Sequence, residues 1–291
     1  MQDVLYNNSM RKIKGLISLL RPELALSAGL CVLTGQILAY GGFPSLSTAL
    51  LGFFGGFALS ASALVFNDVF DLEVDRVNTP QRALPSGAVS PAEAVALGVG
   101  ITLAGLAASY ALGTVPFILA IPFWFIGFLY NWRFKKTGLP GNLMVSASVA
   151  ITFIFGAASI EDPWNGVVWV FSLMAFFIDF GEEIAGDAMD MAGDSLLGSR
   201  SIALRKGRAY ALRISAGLWV IAILLSYLPL IFGWLGWLYG IPMTLANLLI
   251  VFFTRRLLRA PDAKSGVQAM RGVYLSAILG IAAFLLGLFV G

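Results

Sequence analysis

Long apolar stretches separated by short polar connections run along the chain from about residue 22 to its end. A helix needs about 20 apolar residues to cross the roughly 30 Å hydrocarbon core of a bilayer, and these stretches approach or exceed that length. Several of them contain Gly or Pro, which membrane helices tolerate. The pattern predicts nine membrane-spanning helices, at 22–41, 46–66, 91–112, 115–131, 142–160, 164–183, 209–232, 234–254 and 269–290. We therefore expect an all-α membrane protein.

Basic residues are confined to one side of this predicted bundle. When the helix ends are assigned alternately to two sides, all 19 Lys and Arg residues fall on the first side. They lie on the N-terminal arm (1–20) or in and beside the connections after the second, fourth, sixth and eighth helices. The second side carries only the acids Glu161 and Asp162. Because Lys and Arg accumulate in cytoplasmic loops, we expect the first side and the N-terminus to be cytoplasmic.

The composition excludes several classes of protein. Hydrophobic residues make up 58% of the 291 residues and charged residues only 12%, whereas soluble domains average about 25% charged residues. A soluble fold is therefore excluded, and we expect one integral-membrane domain over 1–291. Cys31 is the only cysteine, so the chain cannot form an internal disulfide, and it contains no histidine. Any metal ion must then be held by oxygen ligands, which favours hard cations such as Mg²⁺.

The same spacing of aspartates occurs twice, each time near the end of a predicted helix on the basic side. The first acidic motif, Asp68, Asp71 and Asp75, lies in the segment 67–90, and the second, Asp187, Asp190 and Asp194, lies in 184–208. Positions i, i+3 and i+7 share one face of a helix, so each motif aligns three carboxylates. Like charges repel and need a compensating cation. We expect the two motifs to bracket a diphosphate through Mg²⁺; the alternative is two solvated acidic loops.

Basic side chains flank both motifs. Arg76 and Arg82 follow the first motif, and Arg200, Arg205, Lys206 and Arg208 follow the second; Arg133, Lys135 and Lys136 lie in the connection after the fourth helix. Arg suits bidentate binding of phosphate oxygens and Lys supplies a point charge. The alternative is that they only set the membrane orientation. The third helix is predicted to begin with a capping box at Ser90-Pro91-Ala92-Glu93, so the preceding segment becomes a loop over the bundle.

These residues resemble a known family. Asn67 to Asp75 together with Arg82-Ala83-Leu84-Pro85-Ser86-Gly87 is similar to the first signature of the UbiA superfamily of intramembrane prenyltransferases. Asp187, Asp190, Asp194 and the following Gly198-Ser199-Arg200-Ser201 are similar to the second. The segment from Tyr130 to Asn142 resembles the archaeal branch, which transfers a geranylgeranyl group to geranylgeranylglyceryl phosphate in ether-lipid synthesis. One departure is Glu182-Glu183, where that branch usually has Arg-Glu.

The resemblance implies a bundle of nine helices around a central cavity and a Mg²⁺-dependent transfer of an isoprenyl group from its diphosphate to a lipophilic acceptor. It implies metal binding by the six aspartates of the two motifs. It implies diphosphate binding by a set of polar and basic side chains: Asn67, Arg82, Arg133, Lys135 and Arg200. Asp71, Glu183 and Asp187 are candidate proton acceptors, with no choice among them. Aromatic side chains near the site are expected to stabilise an allylic cation: Phe66, Phe70, Tyr130 and Trp132.

The expected partners are a prenyl diphosphate, a lipophilic acceptor and the lipid bilayer, with no nucleic acid; the sequence predicts no oligomeric state. Two other functions stay open. The acceptor can instead be an aromatic ring, as in the synthesis of quinone-type cofactors. A cation-coupled transporter is the second alternative, since acids within membranes often mark ion pathways. The clustering of the acids at one face of the bundle, away from its middle, argues against transport.

Overall fold

The structure is a computed structural model that describes residues 2–196 and 198–290, so Met1, Leu197 and Gly291 lie outside the described residues. Within these ranges the chain is built from helices, as predicted. The helices are α1 (Gln2–Leu19), α2 (Pro22–Tyr40), α3 (Leu46–Phe70), α4 (Leu72–Asn78), α5 (Pro91–Ala111), α6 (Thr114–Leu129), α7 (Leu139–Ala158), α8 (Gly166–Met189), α9 (Met191–Leu196), α10 (Ile202–Lys206), α11 (Arg208–Leu225), α12 (Leu228–Ile231), α13 (Trp237–Leu258) and α14 (Ala263–Val290), with a π-helical turn at Tyr130–Phe134.

Eight segments within the described residues are long and apolar enough to cross a membrane. They correspond to eight of the nine predicted spans. The remaining prediction, 164–183, falls on α8, which has 24 residues but carries four acidic side chains: Asp179, Glu182, Glu183 and Asp187. Within the described residues the number of apolar spans is therefore eight. The helix α8 is not among them because it carries more acidic side chains than any other long helix.

The long helices form a closed ring. In chain order, each of α2, α3, α5, α6, α7, α8, α11, α13 and α14 contacts the next, and α14 contacts α2 again. Further contacts of α2 with α7 and of α8 with α14 narrow the interior. The ring leaves an internal space, and both cavities described below lie along α8 and α14.

Small residues let α2 and α7 approach very closely. A Cβ atom added at Gly35 would overlap the backbone of Phe153, and one added at Gly156 would overlap the carbonyl of Val32. Small residues at such contacts are typical of helix packing in membranes. Gln36 beside them is fully buried, and its side-chain nitrogen donates to the Thr48 carbonyl at 2.9 Å and to Ser159 Oγ at 2.8 Å. This packing fixes the position of α7 beside the central space.

Segments expected to be irregular also contain helix. The N-terminal arm forms α1, and the loop after the first acidic motif begins with α4 before turning through 79–90. The predicted capping box is confirmed: the Ser90 side chain accepts from the Glu93 amide at 3.3 Å, and Glu93 accepts from the Ser90 amide at 3.0 Å. Glu93 also pairs with Lys12 of α1, which holds the arm against the start of α5.

Candidate active site

The first acidic motif lies where α3 ends and α4 begins. Asp68 is in the last turn of α3, Asp71 joins the two helices, and Asp75 is in α4; Asp68 and Asp75 are buried. Each carboxylate has a cationic partner. Asp68 accepts from Arg21, Asp71 from Lys135, and Asp75 from Arg82 at 2.7 Å.

Arg82 connects two members of this motif. Besides its bond to Asp75, its guanidinium lies 3.9 Å from Asp68. The hydrogen bond to Asp75 raises the pKa of Arg82, so the side chain stays charged. Thr79 donates a second hydrogen bond to Asp75 at 2.9 Å. Arg82 thus lies beside two acids of the first motif.

Arg21 is a functional candidate that sequence reasoning missed. It lies between α1 and α2 with a backbone φ of 41° and ψ of 66°, a left-handed conformation that is uncommon for a residue other than glycine. Pro22 follows it and opens α2. Such backbone strain tends to occur at functional positions. The signal in the sequence was only an Arg-Pro pair at the start of the first apolar helix.

The π-helical turn at Tyr130–Phe134 brings a second group of residues to the first motif. Asn67 donates to the Asn131 side chain at 2.6 Å, and Asn131 donates to the Ala63 carbonyl at 3.0 Å. The Lys135 amide donates to the Tyr130 carbonyl at 2.9 Å, which extends the π-helical hydrogen bonding up to Lys135. π-helical turns often occur at functional sites. Here the turn sets Asn131 and Lys135 against α3.

The second acidic motif lies where α8 ends. Asp187 accepts a hydrogen bond from Asn142 of α7 at 2.9 Å, Asp190 caps the end of α8, and Asp194 is in the short α9. Within the described residues none of these three carboxylates has an ion-pair partner, in contrast to the first motif. Asp194 Oδ2 is buried without a hydrogen-bond partner. Burial and the nearby Asp190 raise the pKa of Asp194.

Carboxylates of α8 and α9 surround one cavity of about 560 Å³, which we call the acidic cavity. Three of its lining residues, Asp187, Asp190 and Asp194, form the second motif. The others that matter here are Asp179, Glu182 and Glu183, which lie one to two turns earlier along α8. Sequence reasoning named Glu183 but did not assign Asp179 or Glu182 to the site. Their spacing from Asp187 along one helix was the available signal.

An apolar cavity of about 160 Å³ adjoins the acidic cavity. Its walls come from α2, α7, α8 and α14 and are mostly aliphatic and aromatic. The two cavities share three lining residues: Asp179, Glu182 and Tyr274. The predicted central cavity therefore has two compartments, an acidic one and an apolar one, and they meet at these side chains.

Tyr130 lies near acidic side chains of both motifs. Its hydroxyl lies within electrostatic range of Asp71 in the first motif and of Glu183 and Asp187 on α8. Gly141 next to Asn142 packs so closely on the π-helical turn that an added Cβ would come within 2.6 Å of the Phe134 carbonyl. The start of α7 thereby connects the two motifs through the turn.

The remaining predicted basic residues lie elsewhere. Arg133 is exposed in the π-helical turn, and within the described residues no hydrogen bond or ion pair of its side chain is seen. Arg200 lines a separate cavity of about 620 Å³ together with Arg205 and Lys206. The Arg200 amide donates to the Lys136 carbonyl at 3.0 Å, so the segment beyond the second motif is tied to the loop that carries Lys135. Of the four cations predicted to bind the diphosphate, Arg82 and Lys135 are the ones that contact acids within the described residues.

The four predicted aromatic residues also differ in their positions relative to the acidic motifs. Phe66 and Phe70 pack edge-on against Phe128 of α6, with ring centroids 5.6 and 5.4 Å apart. Trp132 is 58% exposed. Tyr130 is the one of the four that lies beside acids of both motifs, and Phe153 and Phe171 of the apolar cavity are aromatic residues that the sequence did not single out.

The donor set suits a hydrated Mg²⁺ ion. No group of three acidic or thiol side chains within the described residues is assembled closely enough to enclose a metal. Mg²⁺ rarely needs such a cage, because it usually binds one or two carboxylates and completes its shell with water and phosphate oxygens. The buried, unpartnered Asp194 Oδ2 and the accessible carboxylates of Asp187 and Asp190 provide such ligands.

Comparison with known proteins gives consistent matches over most of the chain. The model of the UbiA prenyltransferase family matches residues 28–278. Digeranylgeranylglyceryl phosphate synthase of Thermococcus kodakarensis is 30% identical over 276 residues, covering 94% of this chain and 98% of the relative. The synthase of the same name from Methanopyrus kandleri is 33% identical, covering 95% of this chain and 100% of the relative.

Solved structures agree with these relatives. A structure of digeranylgeranylglyceryl phosphate synthase in membranes has a TM-score of 0.87 at 27% identity, covering 96% of this chain and 99% of that one. A UbiA homologue from Archaeoglobus fulgidus, bound to GPP and Mg²⁺, has a TM-score of 0.68 at 22% identity, covering 93% and 98%. The fold described above is shared with both.

Proposed function

The chain belongs to the UbiA prenyltransferase family, and from this premise we propose that it transfers a geranylgeranyl group from geranylgeranyl diphosphate to geranylgeranylglyceryl phosphate. The relatives named digeranylgeranylglyceryl phosphate synthase match nearly the full length of the chain, which supports this acceptor. The protein is thus an intramembrane prenyltransferase of archaeal ether-lipid synthesis. Residues 1–291 act as one catalytic unit.

The observation that carries the proposal is the junction of the two cavities. The acidic cavity has the carboxylates that a diphosphate-bound Mg²⁺ requires, and the apolar cavity beside it suits a hydrocarbon chain. A prenyl diphosphate matches this arrangement, because its charged diphosphate is joined directly to an apolar hydrocarbon chain. The UbiA homologue whose structure holds GPP and Mg²⁺ supports the use of this metal.

Different groups of residues have different roles in the proposed reaction. The carboxylates of the two acidic motifs would hold Mg²⁺, which would supply positive charge next to the diphosphate. Arg82 and Lys135 stand beside the first motif, where they stabilise the negative charge that develops on the leaving diphosphate. Asn67 is held by Asn131 and orients the end of α3. The apolar walls keep water away from the reacting carbon until the acceptor hydroxyl attacks it.

A direct assay tests the reaction. Purified protein in lipid nanodiscs, incubated with Mg²⁺, geranylgeranyl diphosphate and geranylgeranylglyceryl phosphate, is expected to form digeranylgeranylglyceryl phosphate, detected by mass spectrometry. The same incubation with an aromatic acceptor in place of the glycerol ether is expected to give no prenylated product. Prenylation of the aromatic acceptor alone would overturn the proposed acceptor but leave the family activity intact.

We place α8 across the membrane as a ninth span, with the N-terminus and both acidic motifs on the cytoplasmic side. The charge asymmetry of the connections and the contacts of α8 with α7, α11 and α14 inside the ring support this topology. Cysteine labelling tests it, since Cys31 is the only native thiol. In a Cys31→Ala background, an impermeant maleimide added to intact cells is expected to label Glu161→Cys and to leave Lys136→Cys unlabelled. The reverse pattern would invert the topology.

A further inference from the structure

Asp179 occupies the boundary between the two cavities. It lies on α8 two turns before Asp187 and lines both the acidic and the apolar cavity. A prenyl diphosphate bound with its diphosphate in the first and its chain in the second has its reactive C1 carbon at this boundary. Any acceptor that attacks C1 therefore brings its hydroxyl to the same place.

The partner of Asp179 is Ser146, which is fully buried on α7. Ser146 Oγ lies 2.8 Å from Asp179 Oδ2 and 2.9 Å from the Asn142 carbonyl oxygen. A serine hydroxyl has one hydrogen to donate and can also accept. It therefore donates to ionised Asp179, or it donates to the Asn142 carbonyl and accepts from protonated Asp179.

This arrangement gives Asp179 a hydrogen bond in both protonation states. A buried carboxyl group that loses its hydrogen bond when its charge changes is strongly destabilised. Rotation of the Ser146 hydroxyl keeps the hydrogen bond and avoids this cost. The other candidates are placed differently. Asp71 is bound to Lys135, and Asp187 and Glu183 line the acidic cavity but not the apolar one.

We infer that Asp179, supported by Ser146, is the proton acceptor for the acceptor hydroxyl, an inference that rests on the proposed prenyl transfer. The C1–O bond to the diphosphate breaks and its electron pair leaves with the diphosphate. The hydroxyl oxygen of the acceptor forms the new C–O bond to C1. Its proton passes to a carboxylate oxygen of Asp179 and from there to water in the acidic cavity.

The test compares Asp179→Asn with Asp162→Asn in nanodiscs. Asp162 is a matched control, because it is an aspartate that accepts a hydrogen bond from one polar side chain, Asn165, at 2.8 Å and lines neither cavity. Proton transfer by a positioned base typically contributes 10²–10⁴-fold, so Asp179→Asn is expected to lower kcat at least ~100-fold. Ser146→Ala is expected to lower it about 10-fold, and Asp162→Asn less than about 3-fold.

Two further measurements separate chemistry from structure. Mg²⁺-dependent binding of geranylgeranyl diphosphate, followed by calorimetry, is expected to stay within about 3-fold of wild type in Asp179→Asn. Diphosphate release per prenyl group transferred is expected to rise above one, because the ionised substrate then reacts with water. Equal losses in Asp179→Asn and Asp162→Asn, or normal turnover of Asp179→Asn, would overturn the inference. Inactivity of the wild type toward the glycerol ether would instead contradict the proposed function.

Discussion

The Arg21 guanidinium donates a hydrogen bond to the buried carboxylate of Asp68, joining the start of α2 to the end of α3. The side chain of Asp68 is 8% exposed, and its other cationic neighbour, Arg82, is 3.9 Å away. Arg21 therefore provides most of the compensation for this charge. The strained backbone at Arg21 indicates that the position of its side chain is held by the surrounding structure, not by local preference.

Replacing Arg21 with Ala is expected to destabilise the protein. Leaving one member of a buried ion pair without its partner costs about 3–5 kcal/mol, and we expect roughly half of that here because Arg82 stays nearby. Thermal unfolding in detergent would show a lower midpoint for Arg21→Ala than for wild type. Arg76→Ala is the control, since Arg76 pairs only with the exposed Glu73. An equal shift in both variants would contradict a special role for Arg21.

Lys135 is expected to act in catalysis through its charge. Lys135→Met removes the partner of Asp71 and one cation beside the diphosphate, so kcat should fall about 10–100-fold. Lys136→Met changes the next residue, whose side chain makes no hydrogen bond or ion pair within the described residues, and turnover should change less than about 3-fold. Steady-state rates with saturating substrates would measure both. Comparable losses in the two variants would show that the loop needs only a general positive charge.

Removal of Asp194 is expected to weaken metal-dependent binding. Asp194→Asn replaces the buried, unpartnered carboxylate oxygen with an amide that binds Mg²⁺ poorly, so half-saturation by Mg²⁺ should require at least ~10-fold more metal. Calorimetry with geranylgeranyl diphosphate at several Mg²⁺ concentrations would report this without turnover. Asp262→Asn is the control, because Asp262 lies in the connection before α14 and binds Ser265 locally. Binding that persists in EDTA would contradict a metal requirement altogether.

Much of the fold could be predicted because each membrane-spanning helix needs a long run of apolar residues, which is visible in the sequence. Hydrophobic length alone located eight spans to within a few residues. The capping box at Ser90 fixed the start of α5, because its two hydrogen bonds depend only on residues three apart. The division of 209–232 into α11 and α12 was not predicted, since Ser226 and Tyr227 interrupt the apolar run for only two residues.

The acidic residues of the site could be predicted from the sequence, whereas the cations that pair with them were harder to predict. Repeated spacing identified both acidic motifs, but the partner of each carboxylate depends on tertiary packing between distant helices. Arg21 reaches Asp68 across 47 residues, whereas Arg200, close after the second motif, lines another cavity. Asp179 was not predicted because it lies outside the repeated aspartate spacing, although Glu182 and Glu183 follow it by one turn on α8. Only the packing of α7 on α8 gives it Ser146 as a partner.

The contact between α2 and α7 leads to a last prediction, which concerns packing alone. Gly35→Ala adds a methyl group that overlaps the backbone of Phe153, and backbone atoms cannot move aside as a flexible side chain can. Overpacking of this kind typically costs about 1–3 kcal/mol, so the unfolding midpoint in detergent should fall. Gly100→Ala is the matched control. Gly100 lies within α5 with nothing near its added Cβ, and Ala favours helix over Gly by about 1 kcal/mol, so this variant should unfold at the same or a higher temperature. Because α7 carries Asn142 and Ser146, Gly35→Ala should also lower turnover even where it stays folded. Unchanged stability and turnover would mean that the two helices are not held as closely as the structure has them.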